Sequence, residues 1–465
     1  MSARGERQDP RVAPDLSYAE ALAAIESRGR YGVRLGLGRV RALLRAMGDP
    51  QLAVRGALVA GTNGKGSVIA LAGSALRAAG YRVGETPKPH LVTYRERIVV
   101  DGRPIDAGSF ARLVGTVIPL ADRISPRLGP PTEFELLTAV MFRHFADARL
   151  DVALVEVGLG GRLDATHAWD GGVAVITNVG LDHTDRLGTT VTAIAREKAA
   201  IIERGDVAVT GATGDALTVV RRRSARMGVP LTIAEPAPIL DWDRDAQWVE
   251  LPGLGATAVA LRGRHQAANV AVADSVLDAL ETAGIARVPA DARRRGYASA
   301  TWPGRLELVQ AARPGGGTRE VLLDGAHNPD GALALAQALA DLRPYLAGGG
   351  ASPPRPLVLV WASMADKDVR GVLAAVAASP AVADATIVCT TLDLPRALPA
   401  AALADAWRAA LPGGRVLIER DPAAALDLAL ATGDGPVVVA GSLYLVGAAR
   451  ARLVDDPALR DPVAA

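Results

Sequence analysis

Short apolar runs rich in β-branched residues alternate with Ala- and Leu-rich stretches of helical periodicity along nearly the whole chain. This alternation is typical of a parallel sheet covered by helices on both faces. It predicts an α/β protein of two domains, residues 1–299 and 300–465, with the W-P-G-R turn at 302–305 near the boundary. The predicted strands are 57–60, 152–157, 173–177 and 207–210, then 321–323, 357–360, 386–390, 416–418 and 437–440. A helix is predicted over 331–342, and the Gly/Pro-rich stretch 346–356 is interpreted as a loop inside the second domain.

A glycine-rich turn joins the first predicted strand to an apolar, helix-periodic stretch. Residues 61–67 read G-T-N-G-K-G-S. Glycines allow backbone N–H groups to approach phosphate oxygens, and the start of a helix adds the positive end of its dipole. Lys65 supplies a positive charge, and the Ser67 hydroxyl is placed to meet Mg²⁺. The segment is therefore predicted to bind the phosphates of ATP, which makes the first domain a P-loop ATP-binding domain.

The composition narrows the class of protein. The 465 residues are 49% hydrophobic, carry a net charge of +2, and include only 4% aromatic residues. A balanced charge with few aromatics gives no reason to expect nucleic acid or an anionic membrane as a partner. The single cysteine, Cys389, lies in an apolar run and is interpreted as a small buried hydrophobe. No apolar run is long enough to span a membrane. Residues 1–14 are interpreted as a frayed N-terminus, and the protein is expected to be a cytoplasmic monomer.

Ionisable residues follow other predicted strands of the first domain. Glu156 ends one strand and precedes a glycine-rich turn, while Asp182 and His183 follow the next. Lys198 lies on the following helix. Because functional loops gather at the carboxyl ends of parallel strands, we expect these groups to converge on one crevice. A buried carboxylate such as Glu156 needs a cation, and Mg²⁺ beside the P-loop would supply it.

With these motifs in order, the chain resembles the folylpolyglutamate synthase/dihydrofolate synthase family of the Mur ligase superfamily over roughly residues 20–450. The motifs that carry the resemblance are AGTNGKGS at 60–67, RERI at 95–98, TEFE at 132–135, EVGLGGRLDAT at 156–166, LDHT at 181–184, REKA at 196–199, GRHQ at 263–266, WPGR at 302–305, DGAHNP at 324–329, ADKD at 365–368 and GSLYLVG at 441–447.

The resemblance implies a P-loop domain followed by a smaller Rossmann-like domain, and an ATP-dependent ligase. ATP would phosphorylate a pterin-linked carboxylate, and the amine of L-glutamate would then displace phosphate. It implies catalytic roles for Lys65, Lys198 and His327. Mg²⁺ would be held by Ser67, Glu156, His183 and a carbamylated Lys198. The implied nucleotide-binding residues are Gly61, Thr62, Asn63, Gly64, Lys65, Gly66, Ser67, Asn269, Arg305 and Asp324. Ser442 is a weaker candidate for the glutamate side.

One departure from the family pattern concerns the acid substrate. Where the family reads T-S-P-H, this chain has Pro87-Lys88-Pro89-His90. Lys88 thus replaces a serine that lies beside the metal in the family. Since a cation close to Mg²⁺ is repelled, we expect Lys88 to turn toward phosphate oxygens or an acidic group of the substrate.

Three other functions stay open at this point. The first is a Mur-type ligase for a different acid, which an assay with a panel of acid substrates would distinguish from a folate ligase. A P-loop phosphotransferase or NTP-driven module would hydrolyse or transfer phosphate without depending on glutamate, but it leaves DGAHNP and WPGR unexplained. A non-catalytic nucleotide binder is suggested only by Lys88. The choice between dihydropteroate and tetrahydrofolate and the polyglutamate length are not encoded in these motifs.

Overall fold

The computed structural model describes residues 15–32, 34–346 and 354–462. These residues form two compact units: residues up to 235 with 272–293 and those from 458 onward, and residues 236–271 with 294–457. The chain therefore passes between the units more than once, whereas the sequence predicts a single boundary near residue 300. That boundary stays a prediction. The interpretation of residues 1–14 and most of the 346–356 loop lies outside the described residues.

The first unit contains a mixed sheet and the helices that cover it. Its helices are α1 Tyr18–Glu26, α2 Gly38–Ala46, α3 Lys65–Ala78, α4 Ala107–Leu128, α5 Glu133–Ala148, α6 Thr184–Leu187, α7 Val191–Ala199 and α8 Gly214–Met227. Its strands are β1 Gly56–Ala60, β2 Val83–Thr86, β3 Val99–Val100, β4 Arg103–Pro104, β5 Val152–Glu156, β6 Gly172–Ile176, β7 Val207–Thr210 and β8 Leu231–Ile233.

The strand order of this sheet places the P-loop strand at its centre. The order is β4-β3-β2-β5-β1-β6-β7-β8, and all pairs from β2 to β8 are parallel. The register sets Val59 beside Glu156 and Ala60 beside Ile176, so β5 and β6 end on either side of the P-loop. Both faces are covered by helices, which explains why β1 and β5 are buried at every position.

The second unit contains a second, mostly parallel sheet. Its elements are β9 Ile239–Trp242, β10 Gln247–Leu251, β11 Gly255–Val259, α9 Gln266–Thr282 (which continues into the first unit), α10 Ala290–Ser299, β12 Glu307–Ala312, β13 Thr318–Leu323, α11 Pro329–Leu342, β14 Val358–Trp361, α12 Val369–Ala377, β15 Thr386–Cys389, α13 Ala400–Ala410, β16 Arg415–Ile418, α14 Pro422–Ala431, β17 Val437–Ala440 and α15 Leu443–Leu453. The order β12-β13-β17-β14-β15-β16 is parallel except for the antiparallel edge strand β12. Trp361 and Trp407 meet edge to face in its core, with ring centroids 5.3 Å apart.

The predicted α/β architecture is confirmed. The strands that were not predicted from the sequence are mainly short or antiparallel. All nine predicted strands are present within one or a few residues of their predicted bounds. Strand β2 was not predicted from the sequence because its four residues include Gly84 and a buried Glu85, which pairs with Arg77. Strands β9, β10 and β11 form a separate antiparallel sheet. Within the described ranges, no helix is long and apolar enough to cross a membrane.

Candidate active site

Two glycines of the P-loop are required by the local geometry. A side chain at Gly61 would meet the Thr177 hydroxyl, since an ideal Cβ lies 1.9 Å from its Oγ1. Gly64 has a φ of 80° immediately before α3, a left-handed conformation that glycine adopts at little cost. The turn can therefore pack closely against its neighbours and begin α3 at Lys65.

The segment after β6 holds the P-loop backbone in place. The N–H of Thr62 donates to the Asn178 carbonyl at 3.0 Å, and the N–H of Asn63 donates to Asn178 Oδ1 at 2.9 Å. Thr177 Oγ1 donates to the Asn63 carbonyl at 2.6 Å. Sequence reasoning assigned no role to Asn178. The available signal was a polar Thr-Asn pair directly after a buried strand.

Two lysine side chains meet at one carbonyl of the P-loop. Lys65 Nζ donates to the carbonyls of Gly61 and Thr62, each at 3.1 Å, and Lys198 Nζ donates to the Gly61 carbonyl at 2.7 Å. Burial, and after it the charge of Lys65, lower the pKa of Lys198 to about 7, although Asp182 and Asp164 act in the opposite direction. Near neutral pH, both the ammonium and the amine form of Lys198 are therefore populated.

Glu156 lies at the carboxyl end of β5, beside these lysines. It is buried, and its Oε1 is 3.8 Å from Lys65 Nζ. Its Oε2 accepts the backbone N–H of Lys88 at 3.0 Å. The structure thus brings Lys65, Lys198 and Glu156 together around the P-loop, as the sequence led us to expect of strand ends in a parallel sheet.

Lys88 is turned toward the protein. Its Nζ donates to the backbone carbonyl of Glu156 at 2.5 Å and lies 4.6 Å from the centroid of the Phe134 ring. Burial lowers the pKa of Lys88 to about 8, opposed by the nearby carboxylates of Asp164 and Glu156. The side chain packs along the end of β5, and its expected contact with phosphate or an acidic substrate group stays a prediction.

The glycine-rich turn after β5 is closed by Asp164. This carboxylate accepts the N–H of Leu159 at 2.9 Å, the N–H of Thr166 at 3.0 Å and the hydroxyl of Thr166 at 2.6 Å. These bonds fix the backbone that follows Glu156. Sequence reasoning noted Asp164 as part of a motif and gave it no separate role.

The predicted metal ligands differ in how well they suit Mg²⁺. Ser67 lies in the first turn of α3 and Glu156 ends β5; both are buried, and both offer the oxygen atoms that Mg²⁺ prefers. His183 is the N-cap residue before α6 and has a φ of 49°. Its side chain is 48% exposed, and its Nε2 lies 3.8 Å from Asp182 Oδ2. Within the described residues, no group of three or more His, Cys, Asp or Glu side chains is arranged to hold a metal. The oxygen donors of Ser67 and Glu156 suit Mg²⁺ better than the imidazole of His183 does, and the metal-binding roles of all three stay predictions.

In the second unit, Asp324 fixes the DGAHNP turn after β13. The buried carboxylate accepts the N–H groups of Ala326 at 2.9 Å and Leu306 at 3.0 Å. Burial raises its pKa, although the charge of Arg305 and these two hydrogen bonds lower it. The carboxylate therefore ties the W-P-G-R turn to the DGAHNP turn.

The remaining predicted residues of this unit also lie in turns or at helix starts. His327 Nδ1 is 2.7 Å from the Gly325 carbonyl, and Arg305 Nη1 donates to the Gly304 carbonyl at 3.0 Å. Asn269 is buried in the first turn of α9, where its Nδ2 donates to Gln266 Oε1 at 2.8 Å. Ser442 caps α15 by accepting the N–H of Tyr444 at 3.3 Å. Ser442 thus caps a helix, and its candidate role on the glutamate side stays a prediction.

Comparison with known families matches both halves of the chain. Residues 59–277 match the Mur ligase middle domain, and residues 304–443 match the Mur ligase glutamate ligase domain. The first match contains the P-loop, Glu156 and Lys198, and the second contains Asp324 and His327.

Individual relatives point to the same group of enzymes. The chain is 37% identical over 333 residues to a Bacillus subtilis dihydrofolate synthase/folylpolyglutamate synthase, covering 70% of this chain and 76% of that protein. It is 36% identical over 463 residues to the Mycobacterium tuberculosis protein of the same description, covering 90% of each. A crystal structure of Mycobacterium tuberculosis folylpolyglutamate synthase complexed with ADP and AMPPCP superposes with a TM-score of 0.79 at 35% identity, covering 94% of this chain and 100% of that one.

Proposed function

We propose how the residues of this chain act, starting from its membership of the folylpolyglutamate synthase/dihydrofolate synthase family of Mur ligases. As a member of this family, it is an ATP-dependent ligase that forms an amide between L-glutamate and a folate-type carboxylate. The acid substrate is activated as an acyl phosphate, which the amine of glutamate attacks. A carboxylate is a poor electrophile, so the phosphoryl group provides the leaving group that amide formation needs.

The observation that carries this proposal is the meeting of Lys65, Lys198 and Glu156 at the P-loop. Both amines contact the Gly61 carbonyl, and the Glu156 carboxylate is 3.8 Å from Lys65 Nζ. Charges fixed in a largely buried turn stabilise a transferring phosphoryl group more effectively than charges in water. Lys65 binds the β- and γ-phosphates, and backbone N–H groups at the start of α3 bind phosphate oxygens.

Ser67 and Glu156 would hold Mg²⁺, and His183 and Lys198 are the further ligands that the family resemblance implies. Held there, the ion would supply positive charge against the phosphates. In its amine form, Lys198 would react with carbon dioxide, forming an N–C bond and losing one proton from nitrogen to solvent, to give a carbamate anion. Its pKa of about 7 leaves a substantial amine fraction near neutral pH, which supports this assignment.

The family resemblance implies nucleotide-binding roles for Asn269, Arg305 and Asp324 and a catalytic role for His327, and we include these roles in the proposal. Asp324 supports this proposal because it holds the turns that carry Arg305 and His327 through two backbone hydrogen bonds. The monomeric state and the cytoplasmic location stay predictions.

One assay tests the reaction: phosphate release is measured with ATP and Mg²⁺, with and without L-glutamate, using dihydropteroate and tetrahydrofolate in parallel. Release that requires both glutamate and one of these acids is the expected result, and the active acid identifies the substrate. Phosphate release that is independent of glutamate would contradict the ligase assignment. Glutamate-dependent release with a different acid alone would place the chain among Mur-type ligases of another substrate.

A further inference from the structure

The C-terminal segment, residues 458–462, returns to the first unit and is anchored there by Asp461. Arg95 Nε donates to Asp461 Oδ1 at 3.0 Å, and the Thr93 hydroxyl donates to the same oxygen at 2.7 Å. Arg95 Nη2 also donates to the Arg460 carbonyl at 2.8 Å. Three hydrogen bonds therefore join this segment to residues 93–95.

The Arg95–Asp461 pair is asymmetric in burial. Only 6% of the Arg95 side chain is exposed, against 35% of the Asp461 side chain. Arg95 also donates to the Ile105 carbonyl at 3.4 Å and lies 5.8 Å from the centroid of the Tyr18 ring. Removing the carboxylate would leave a guanidinium buried without its counter-charge, which is unfavourable. The conformation around Arg95 should therefore depend on Asp461.

Arg95 belongs to a short 3₁₀ helix, Tyr94–Arg97, whose start is closed by Glu96. The Glu96 carboxylate accepts the N–H groups of Leu91 at 3.1 Å, Val92 at 2.7 Å and Thr93 at 2.8 Å. Arg97 Nε donates to His90 Nδ1 at 2.8 Å. Residues 90–97 thus form one hydrogen-bonded unit, and a change at Arg95 is transmitted to the chain before it.

The other end of this segment contacts the candidate active site. Lys88 binds Glu156 twice, through its backbone N–H to the carboxylate at 3.0 Å and through Nζ to the carbonyl at 2.5 Å. Lys88 and Arg97 also line a pocket together with Phe134. A continuous set of contacts therefore leads from Asp461 through the 87–97 segment to Glu156.

We propose that Asp461 is a positioning residue, which holds the 87–97 segment against Glu156 through Arg95 and Thr93. Its contribution to catalysis rests on the proposed function, because the segment it holds provides Lys88 and Arg97 to this pocket and the backbone N–H of Lys88 to the Glu156 carboxylate. Loss of Asp461 should weaken binding of the acid substrate more than it slows turnover, since it loosens this pocket and leaves the contacts of Lys65 and Lys198 with the P-loop intact.

The first test measures hydrogen exchange of the ligand-free, full-length protein, and so does not depend on any activity. Asp461→Ala should speed exchange of the amides of residues 91–93 on the order of tenfold, because their hydrogen bonds to Glu96 open locally. The amides of residues 61–67 should exchange at the wild-type rate. Asp461→Glu should largely restore protection, and Asp427→Ala, which removes an exposed carboxylate paired with Arg452 at 2.8 Å, should leave residues 91–93 unchanged.

The second test compares steady-state constants of the same variants with the acid that the wild-type enzyme ligates. Asp461→Ala should raise KM for that acid roughly five- to twentyfold, with a change in kcat of less than about threefold and an unchanged KM for ATP. Unchanged exchange at residues 91–93, or faster exchange spread over the whole first unit, would overturn the positioning role. So would an unchanged KM for the acid. A wild-type protein inactive with folate-type acids would refute the proposed function, and the exchange data would then decide the role of Asp461 alone.

Discussion

Lys198 Nζ donates a 2.7 Å hydrogen bond to the backbone carbonyl of Gly61, which is 137 residues earlier in the chain. The contact fixes the amine at the first residue of the P-loop, next to Lys65. It also removes the side chain from water, and this burial is the main reason that the pKa of Lys198 is lowered to about 7. A lysine that only solubilised α7 would have neither property.

Replacement of Lys198 should abolish turnover, and added carboxylates should restore part of the lost activity. Lys198→Ala removes the proposed carbamate, and short-chain carboxylates should partly restore activity because they place an anion in the vacated space. The measurement is ligase activity with increasing acetate, and Lys198→Met, which fills the space, is the control that should not respond. Full activity of Lys198→Ala without carboxylate would exclude the carbamate role.

The pH dependence should follow from the lowered pKa of Lys198. Below a pH of about 7 the folded protein carries the ammonium, which does not react with carbon dioxide, so activity should fall as the pH drops through this value. Above it the amine predominates and activity should level off. Profiles of kcat/KM for the wild type and for acetate-rescued Lys198→Ala should therefore differ, and an identical acidic limb in both would assign the titration to another group.

Lys65→Ala should abolish turnover and leave the fold intact. Its Nζ donates to the Gly61 and Thr62 carbonyls and lies 3.8 Å from Glu156 Oε1, and none of these polar groups belongs to the apolar core. Loss of a phosphate-binding charge costs on the order of 3 kcal/mol or more in the barrier, so the rate should fall at least roughly a hundredfold, to near the background rate. The rate and the thermal midpoint are measured together, and near-normal activity would contradict the nucleotide assignment.

The Mg²⁺ requirement should test Glu156 and His183 separately as metal ligands. Glu156→Gln should raise the Mg²⁺ concentration needed for half-maximal activity, because a buried oxygen ligand loses its charge. His183→Ala should also lower activity and raise that requirement if the half-exposed imidazole is a ligand. Mg²⁺ titrations of activity, and of stabilisation by ADP, test both variants. An unchanged titration for His183→Ala would make it a structural histidine at the start of α6.

Lys88→Ser should retain Mg²⁺-dependent turnover but bind the acid substrate or ATP more weakly. The backbone N–H that holds the Glu156 carboxylate is preserved, whereas the bond from Nζ to the Glu156 carbonyl and the charge near Phe134 are lost. KM values for both substrates are measured beside Lys88→Arg, which keeps the charge. A strong rise in folate ligase activity would show that Lys88 opposes this chemistry and would point to a different natural acid.

Much of the fold was determined by local sequence pattern. Buried parallel strands are short β-branched runs, so β7 and β17 appear at the predicted residues, and the glycine spacing of 61–67 identified the P-loop. The prediction that Cys389 is a buried hydrophobe is also confirmed: its side chain is fully buried in β15. These features depend on residues adjacent in the chain, which is why sequence alone sufficed.

Contacts between distant segments were decided only by the tertiary structure. The sequence identified Lys88 as unusual, but the order β2-β5-β1 brings its segment to Glu156, and the position of β6 brings Asn178 to the P-loop. Asp461 meets Arg95 across 366 residues of chain, although nothing near either residue predicts the pair. Local patterns specify helices and strands, whereas strand order and long-range packing determine which side chains face one another.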